Sequence, residues 1–260
     1  MGLDNLSGMV DAILWGLIQG LTEFLPVSSS GHLVLIPELF GREGPDLATT
    51  AMLHLGTLGA VIVYYRADLF LLLRFDRPAR KMITLLLIGT IPAAVLGLTL
   101  ESTLDRINEN PRVVAGFLIV TGIILLSTML IRFGDRTAAD LMAKDAGLIG
   151  LAQAAALIPG ISRSGMSISA GLGRGLAPVE SARFAFLLGI PAIAGAGLLS
   201  AGRAVSDGTG IGTPTIVGAV VAGIVGYFAI ALLIRVMTSV GLGPFGLYCI
   251  ALGAIALVLL

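Results

Sequence analysis

Apolar residues run through the 260-residue chain in long blocks rather than at the alternating three- and four-residue spacing of a half-buried helix. About ten blocks can be marked, at roughly 9 to 25, 31 to 40, 49 to 65, 82 to 100, 113 to 132, 146 to 158, 165 to 176, 182 to 202, 213 to 238 and 243 to 260. A helix needs about 20 residues to cross the hydrocarbon of a bilayer. Six blocks approach or exceed that length and predict full transmembrane helices. The blocks 31 to 40, 146 to 158 and 165 to 176 fall well short, and 9 to 25 is marginal and runs into polar residues. These four pair as 9 to 40 and 146 to 176. Each pair has a proline and a Ser/Gly cluster at its centre: Pro26 with Ser28, Ser29, Ser30 and Gly31, and Pro159 with Gly160, Ser162, Ser164 and Gly165. The pattern predicts two re-entrant helix-loop-helix hairpins, because irregular backbone at membrane depth is tolerated only inside protein or beside a water-filled cavity.

The two hairpins match each other in sequence. Gly16, Gln19, Ser28, Ser30 and Gly31 correspond at one offset to Gly150, Gln153, Ser162, Ser164 and Gly165, with Pro26 and Pro159 out of step by one residue. Leu53, Leu55 and Gly56 correspond to Phe186, Leu188 and Gly189 at nearly the same offset. The expectation is a single membrane domain over 1–260, with repeat one at about 1–134 and repeat two at about 145–260. Each unit has three full crossings, an odd number, so the second sits upside down relative to the first. The expected fold is therefore an all-α polytopic membrane protein, an inverted-topology repeat with about six full transmembrane helices and two re-entrant hairpins.

Basic residues orient it, because cytoplasmic loops carry excess Lys and Arg. The connection 66 to 81 holds Arg66, Arg74, Arg77, Arg80 and Lys81 and is placed in the cytoplasm. Alternation then puts Arg132, Arg136, Lys144, Arg174, Arg183 and Arg235 on the same side, and Arg42, Arg106, Arg112 and Arg203 outside. The N-terminus is expected outside, the first hairpin enters from outside and the second from the cytoplasm. Their polar tips can then meet near the midplane, where inverted repeats place substrate sites.

Composition agrees with membrane residence: 56% of residues are hydrophobic and 12% charged, against about 25% charged in soluble domains. Most of the 35 glycines are expected to let helices approach closely. A net charge of zero and the lack of a basic, aromatic-interleaved cluster leave no nucleic-acid partner to expect. Cys249 is the only cysteine and is expected to be an inert packing thiol. No Lys or Arg precedes Arg42, so the N-terminus does not read as a cleavable signal peptide.

Gln19 to His32, QGLTEFLPVSSSGH, puts an acid, a run of hydroxyls and an imidazole inside an apolar stretch. A charged group there costs roughly 2.5 to 3.5 kcal/mol even on insertion scales, which points to function. Gln19 and Glu23 are i and i+4 on one helical face. The serines and Gly31 suit a tight turn whose N–H groups hold an anion at a helix start. Arg163, between Ser162 and Ser164, offers a fork that matches phosphate oxygens. Duller roles stay open: Glu23 and Arg163 as a structural ion pair, the serines as helix caps, His32 bonded to a backbone carbonyl, and His54 as a packing histidine. Asp11 and Glu180 are expected at membrane interfaces, and Gln153 as a relic of the repeat. An acid, serines, a histidine and an arginine together suggest phosphoryl transfer. Glu23 could ligate Mg²⁺ or Ca²⁺ bridging phosphates, although one acid is a thin site.

At these residues the chain resembles the undecaprenyl-diphosphate phosphatase family, integral membrane enzymes linked to bacitracin resistance. The likeness rests on QGLTEFLPVSSSGH at 19 to 32 and PGISRSG at 159 to 165, with HLGTL at 54 to 58 and FLLGIP at 186 to 191 in support. The resemblance implies removal of the terminal phosphate from undecaprenyl diphosphate in the cell membrane, recycling a lipid carrier for peptidoglycan and other envelope polymers, at a pocket opening to the outer face. It implies Glu23 as the essential acid, Ser29 as nucleophile or phosphate ligand, His32 as acid/base partner, and Ser162 and Arg163 as diphosphate ligands. Gln19, Ser28, Ser30 and Ser164 complete the expected substrate contacts. Gln19 stands where many members have Glu, which puts a two-carboxylate metal site in doubt. The partners expected are a polyprenyl diphosphate lipid and membrane lipids. A carrier or flippase for lipid phosphate or a small anion is the alternative from another class, since transporters share inverted repeats. A phosphatase for another polyprenyl diphosphate is the alternative within the class.

Overall fold

A computed structural model describes residues 3–206 and 212–260, and the chain there is almost entirely helical. The order is α1 (Leu3–Phe24), α2 (Ser29–Phe40), α3 (Leu47–Tyr64), α4 (Arg66–Leu72), α5 (Arg77–Thr99), α6 (Glu101–Asn108), α7 (Pro111–Ser127), α8 (Ala143–Ala155), α9 (Arg163–Gly173), α10 (Pro178–Ser206), α11 (Thr213–Ser239) and α12 (Gly243–Leu259). No strand forms among the described residues, only an isolated bridge between Arg136 and Leu176.

Start signals sit where the apolar blocks begin. Asp46, Asp76 and Asn110 cap α3, α5 and α7 by accepting the N–H groups of Thr49, Ala79 and Val113, which satisfies one of the orphan donors of each first turn. Pro78, Pro111, Pro214 and Pro244 fall in first turns, where the missing N–H costs nothing.

Five helices, α3, α5, α7, α10 and α11, are long and apolar enough to cross a membrane, and the 17-residue α12 is a shorter apolar helix. They coincide with the six predicted spans. Their outer faces carry apolar ridges in every-fourth-residue rows, such as Leu87, Ile91 and Val95 on α5 and Ile216, Val220, Ile224 and Phe228 on α11. Ridges of that size are unfavourable against water and natural against lipid. The polar connections are more ordered than their composition suggests. The 66 to 81 segment contains α4 and the 101 to 112 segment contains α6, a charged helix with an apolar side that hydropathy blocks do not register.

Helices of the two halves interleave. α1 lies along α11, and α5 lies along α8. Small residues allow both contacts. A Cβ at Gly16 would sit 2.6 Å from the Gly218 carbonyl, one at Gly20 2.8 Å from that of Ala222, and Gly150 on α8 is set just as close against Gly89 on α5. The cores of the two halves meet again where α3 packs on α10 and α7 on α12.

At one end of the bundle, Asp145 in the first turn of α8 is fully buried. It pairs with Arg174 Nε at 2.7 Å and Arg136 Nη2 at 2.9 Å and accepts the Met142 N–H. Arg174 follows the last turn of α9, so this cluster ties the base of one leg of the second hairpin to the base of the other. Asp11 pairs with Arg42 on the surface, and Glu180 accepts the Ala138 N–H and lies 3.5 Å from Arg183.

Candidate functional site

Each polar motif folds as a break between two helices. The first falls between α1 and α2 and the second between α8 and α9. Ser28 caps α2, its Oγ accepting the Gly31 N–H at 3.2 Å, and Ser162 caps α9 by accepting the Gly165 N–H at 3.1 Å. In both, the capping hydroxyl also meets the serine two residues on: Ser28 with Ser30 at 3.3 Å, Ser162 with Ser164 at 3.2 Å. The two breaks are thus built alike, and both present a helix N-terminus with its positive dipole end and free N–H groups.

The breaks hold unusual backbone. Ser28 has φ 68°, a left-handed conformation that costs a side-chain-bearing residue of order 1–3 kcal/mol and concentrates at functional sites. Gly160 has φ 94°, and a Cβ there would also lie 2.9 Å from the Phe117 side chain on α7. Only glycine fits. Thr121 of α7 fastens this loop, donating to the Gly160 carbonyl at 2.9 Å and accepting the Ser162 N–H at 3.1 Å.

Between the two N-termini lies Glu23, 7% exposed. Its Oε2 accepts from the Ser29 hydroxyl at 2.7 Å and from Gln19 Nε2 at 3.1 Å, and its Oε1 accepts from Arg163 Nη2 at 3.1 Å. Ser29 and Arg163 occupy the same place in their respective motifs, so the two hairpins converge on one carboxylate. Ser164 adds a second stitch, donating to the Leu25 carbonyl at 3.3 Å. Arg163 reaches Glu23 across Gly189 of α10, where any Cβ would collide with the guanidinium. Two buried polar atoms in this cluster have no partner, Gln19 Oε1 and Arg163 Nη1. Buried polar groups are nearly always satisfied, and these two belong to the side chains bonded to Glu23.

His32, 2% exposed, stands apart from Glu23 and Ser29. Its Nδ1 lies 2.8 Å from the Ser28 carbonyl and its Nε2 2.7 Å from the Tyr248 hydroxyl of α12. The backbone-bonded role is therefore present, and the imidazole is not the immediate acceptor of the Ser29 proton. His54 on α3 bonds the Thr50 carbonyl through Nδ1 at 2.8 Å and makes no direct bond to the cluster. Gln153 is buried with neither amide atom paired. Cys249 is fully buried, its thiol facing the Pro26 carbonyl at 3.8 Å.

Every expected site residue thus lies in or beside the two breaks, with Gln19, Glu23, Ser29 and Arg163 directly bonded. Sequence reasoning missed Gly189, Thr121 and Tyr248 as parts of the site. Gly189 lies in the FLLGIP stretch already singled out, but nothing in one sequence ties it to Arg163.

A hydroxyl aimed at a carboxylate, a guanidinium and two helix N-termini, enclosed in a membrane bundle, define an integral membrane protein with a site suited to phosphate chemistry. The chain belongs to the family of the bacitracin resistance protein BacA, whose family model matches residues 12–255. It is 41% identical over 267 residues to an undecaprenyl-diphosphatase of Nocardioides sp., covering 96% of this chain and 97% of that protein. An undecaprenyl-diphosphatase of Desulfosudis oleivorans is 40% identical over 266 residues, 95% of this chain and 97% of its own length. Undecaprenyl-diphosphatase 4 of Bacillus thuringiensis is 40% identical over 255 residues, 96% of each.

Proposed function

We propose that the protein hydrolyses undecaprenyl diphosphate to undecaprenyl phosphate and inorganic phosphate, as the names of its relatives state for them. The observation that carries the proposal is the convergence of Ser29, Arg163 and Gln19 on Glu23. Arg163 and the N–H groups of α2 and α9 hold the diphosphate, with Arg163 Nη1 free to take a phosphate oxygen. Ser29 attacks the terminal phosphorus while Glu23 takes its proton. As the Ser29 Oγ–P bond forms, the bond from that phosphorus to the bridging oxygen breaks, and the polyprenyl phosphate leaves. Water then hydrolyses the phosphoserine: its oxygen bonds to the phosphorus, a phosphate oxygen takes its proton, and the Ser29 Oγ–P bond breaks as Glu23 returns its proton to Ser29 Oγ, while His32 braces the Ser28 turn.

A divalent cation belongs to the proposal. Mg²⁺ and Ca²⁺ take oxygen ligands, and Glu23 with the unpaired Gln19 Oε1 one turn away supplies two, the rest coming from phosphate oxygens and water. Such an ion would neutralise charge on the phosphates. Among the described residues no group of three or more His, Cys, Asp or Glu is gathered that could hold a metal, so the substrate must contribute to its binding.

Further parts of the same proposal are the inverted repeat, the re-entrant course of the two hairpins, residence in the cell membrane and opening of the site to the outer face. The matched architecture of the two breaks and the interleaved contacts of α1 with α11 and α5 with α8 support the repeat. The distribution of basic residues supports the orientation.

Phosphate release by the purified protein from undecaprenyl diphosphate, with Glu23→Ala, His32→Ala and Arg163→Ala beside the parent, tests the site. Loss of turnover in all three is expected, and full turnover in all three would remove it. Quenching during turnover should trap phosphate on Ser29; a Ser29→Ala variant with undiminished turnover would assign the attack to water instead.

A further inference from the structure

We infer that Tyr248, on α12, is a positioning residue that holds the His32 imidazole in a single orientation against the Ser28 turn that leads into Ser29. The inference rests on the proposed hydrolysis only for its kinetic consequence.

The geometry is specific. The Ser28 main-chain oxygen can only accept a hydrogen bond, so the proton of a neutral His32 ring sits on Nδ1, 2.8 Å away. That leaves Nε2 as an acceptor, and the only group bonded to it among the described residues is the Tyr248 hydroxyl at 2.7 Å, which must therefore donate. The two rings also stack, with centroids 5.6 Å apart and planes 9° from parallel. A ring bonded at both nitrogens and covered on one face cannot flip or swing. The backbone partner fixes the tautomer, and the side-chain partner, 216 residues away in sequence, holds the second nitrogen and with it the ring's orientation. Tyr248 is 46% exposed while His32 is 2% exposed. The phenol hydroxyl thus connects a sealed imidazole to the edge of the bundle. Tyr248 touches neither Glu23 nor Ser29 through any hydrogen bond, so its effect on chemistry passes through His32.

The chain contains two histidines, which makes the test direct. Full-length protein labelled with ¹⁵N-histidine should give two imidazoles, with His32 as the Nδ1–H tautomer. His54, whose Nδ1 bonds the Thr50 carbonyl, serves as the internal folding control. In Tyr248→Phe, which keeps the stacked ring and removes the hydroxyl, the His32 Nε2 signal should move toward that of an acceptor without a donor, Nδ1 keeping its proton, while the His54 signals stay in place. Phosphate release should show kcat lowered about tenfold, the rate equivalent of one lost hydrogen bond of about 1.4 kcal/mol, with KM unchanged. Unmoved His32 signals in Tyr248→Phe would overturn the inference, whatever the activity. Moved signals with an unchanged kcat would overturn the positioning role. If the parent protein itself released no phosphate from undecaprenyl diphosphate, the proposed function would fail, and the nitrogen signals would still decide what Tyr248 does to His32.

Discussion

Glu23 takes donors from one turn before it, from six residues after it and from 140 residues away. At a membrane-buried position a lone carboxylate costs several kcal/mol, and an Arg partner with two further donors offsets that cost. The ion pair therefore ties α1 to α9 across the two breaks. What makes it possible is a missing side chain. With Gly189 replaced by alanine, the new methyl group would occupy the place of the Arg163 guanidinium. Gly189→Ala is expected to lower phosphate release about tenfold or more, because misplacing a charge-stabilising group by an ångström is costly. Thermal stability in detergent should fall by much less than activity. Equal losses of the two, or none, would mean that Gly189 matters only for packing. Glu23, Ser29 and His32 were legible in the sequence because each is polar where the surroundings demand apolar residues. Gly189 was not, being one glycine among 35. Nor was Tyr248, since an aromatic residue in an apolar helix reads as packing unless its distant partner is known.

The second break is carried by two short helices, α8 and α9, and their stability has to come from outside hydrogen bonding within each helix. α9 has 11 residues and α8 has 13, lengths at which isolated helices are marginal. Ser162, Thr121 and Gly160 fix one end of this hairpin, and Asp145 with Arg136 and Arg174 fixes the other. Asp145→Asn keeps the volume and removes the charge. Breaking a fully buried pair costs about 3–5 kcal/mol. Both arginines are about one-third exposed, so about 2 kcal/mol is the expectation here. Thermal denaturation in detergent should show the loss, and an unchanged midpoint would assign the cluster no structural role. The breaks between α1 and α2 and between α8 and α9 were legible from block length and from the matching Ser-x-Ser-Gly motifs. The lengths of their arms were not: α1 starts at Leu3, well before the apolar block, because a polar first turn can still be helical. The helices α4 and α6 escaped notice for a related reason, as hydropathy sums over a window and does not register one apolar side of a charged segment.

At the scale of the whole molecule, the two halves are held together by close backbone approaches at small residues rather than by a separate interface. α1 lies against α11 and α5 against α8, and Gly16 with Gly218 and Gly150 with Gly89 mark the crossing points. The five long apolar helices, the shorter apolar α12 and the polytopic class followed from hydropathy alone. The interleaving did not, because which helix a glycine faces is a long-range property that block patterns do not encode. Orientation is directly measurable, since Cys249 is buried and can be removed. In a Cys249→Ala background, a membrane-impermeant thiol reagent applied to intact cells should label Glu43→Cys and leave Arg77→Cys untouched, both positions being exposed. The reverse labelling would invert the topology and face the site inward.

The central claim is that the two hairpins build one site around the Glu23–Arg163 contact. A double-mutant cycle on phosphate release from undecaprenyl diphosphate, using Glu23→Gln, Arg163→Gln and the pair, measures that coupling. Each single change is expected to lower kcat/KM about a hundredfold or more, with the double variant close to the worse single, because residues acting as a unit are not additive. Losses that multiply in the double variant, or a single variant with parental turnover, would contradict the shared site.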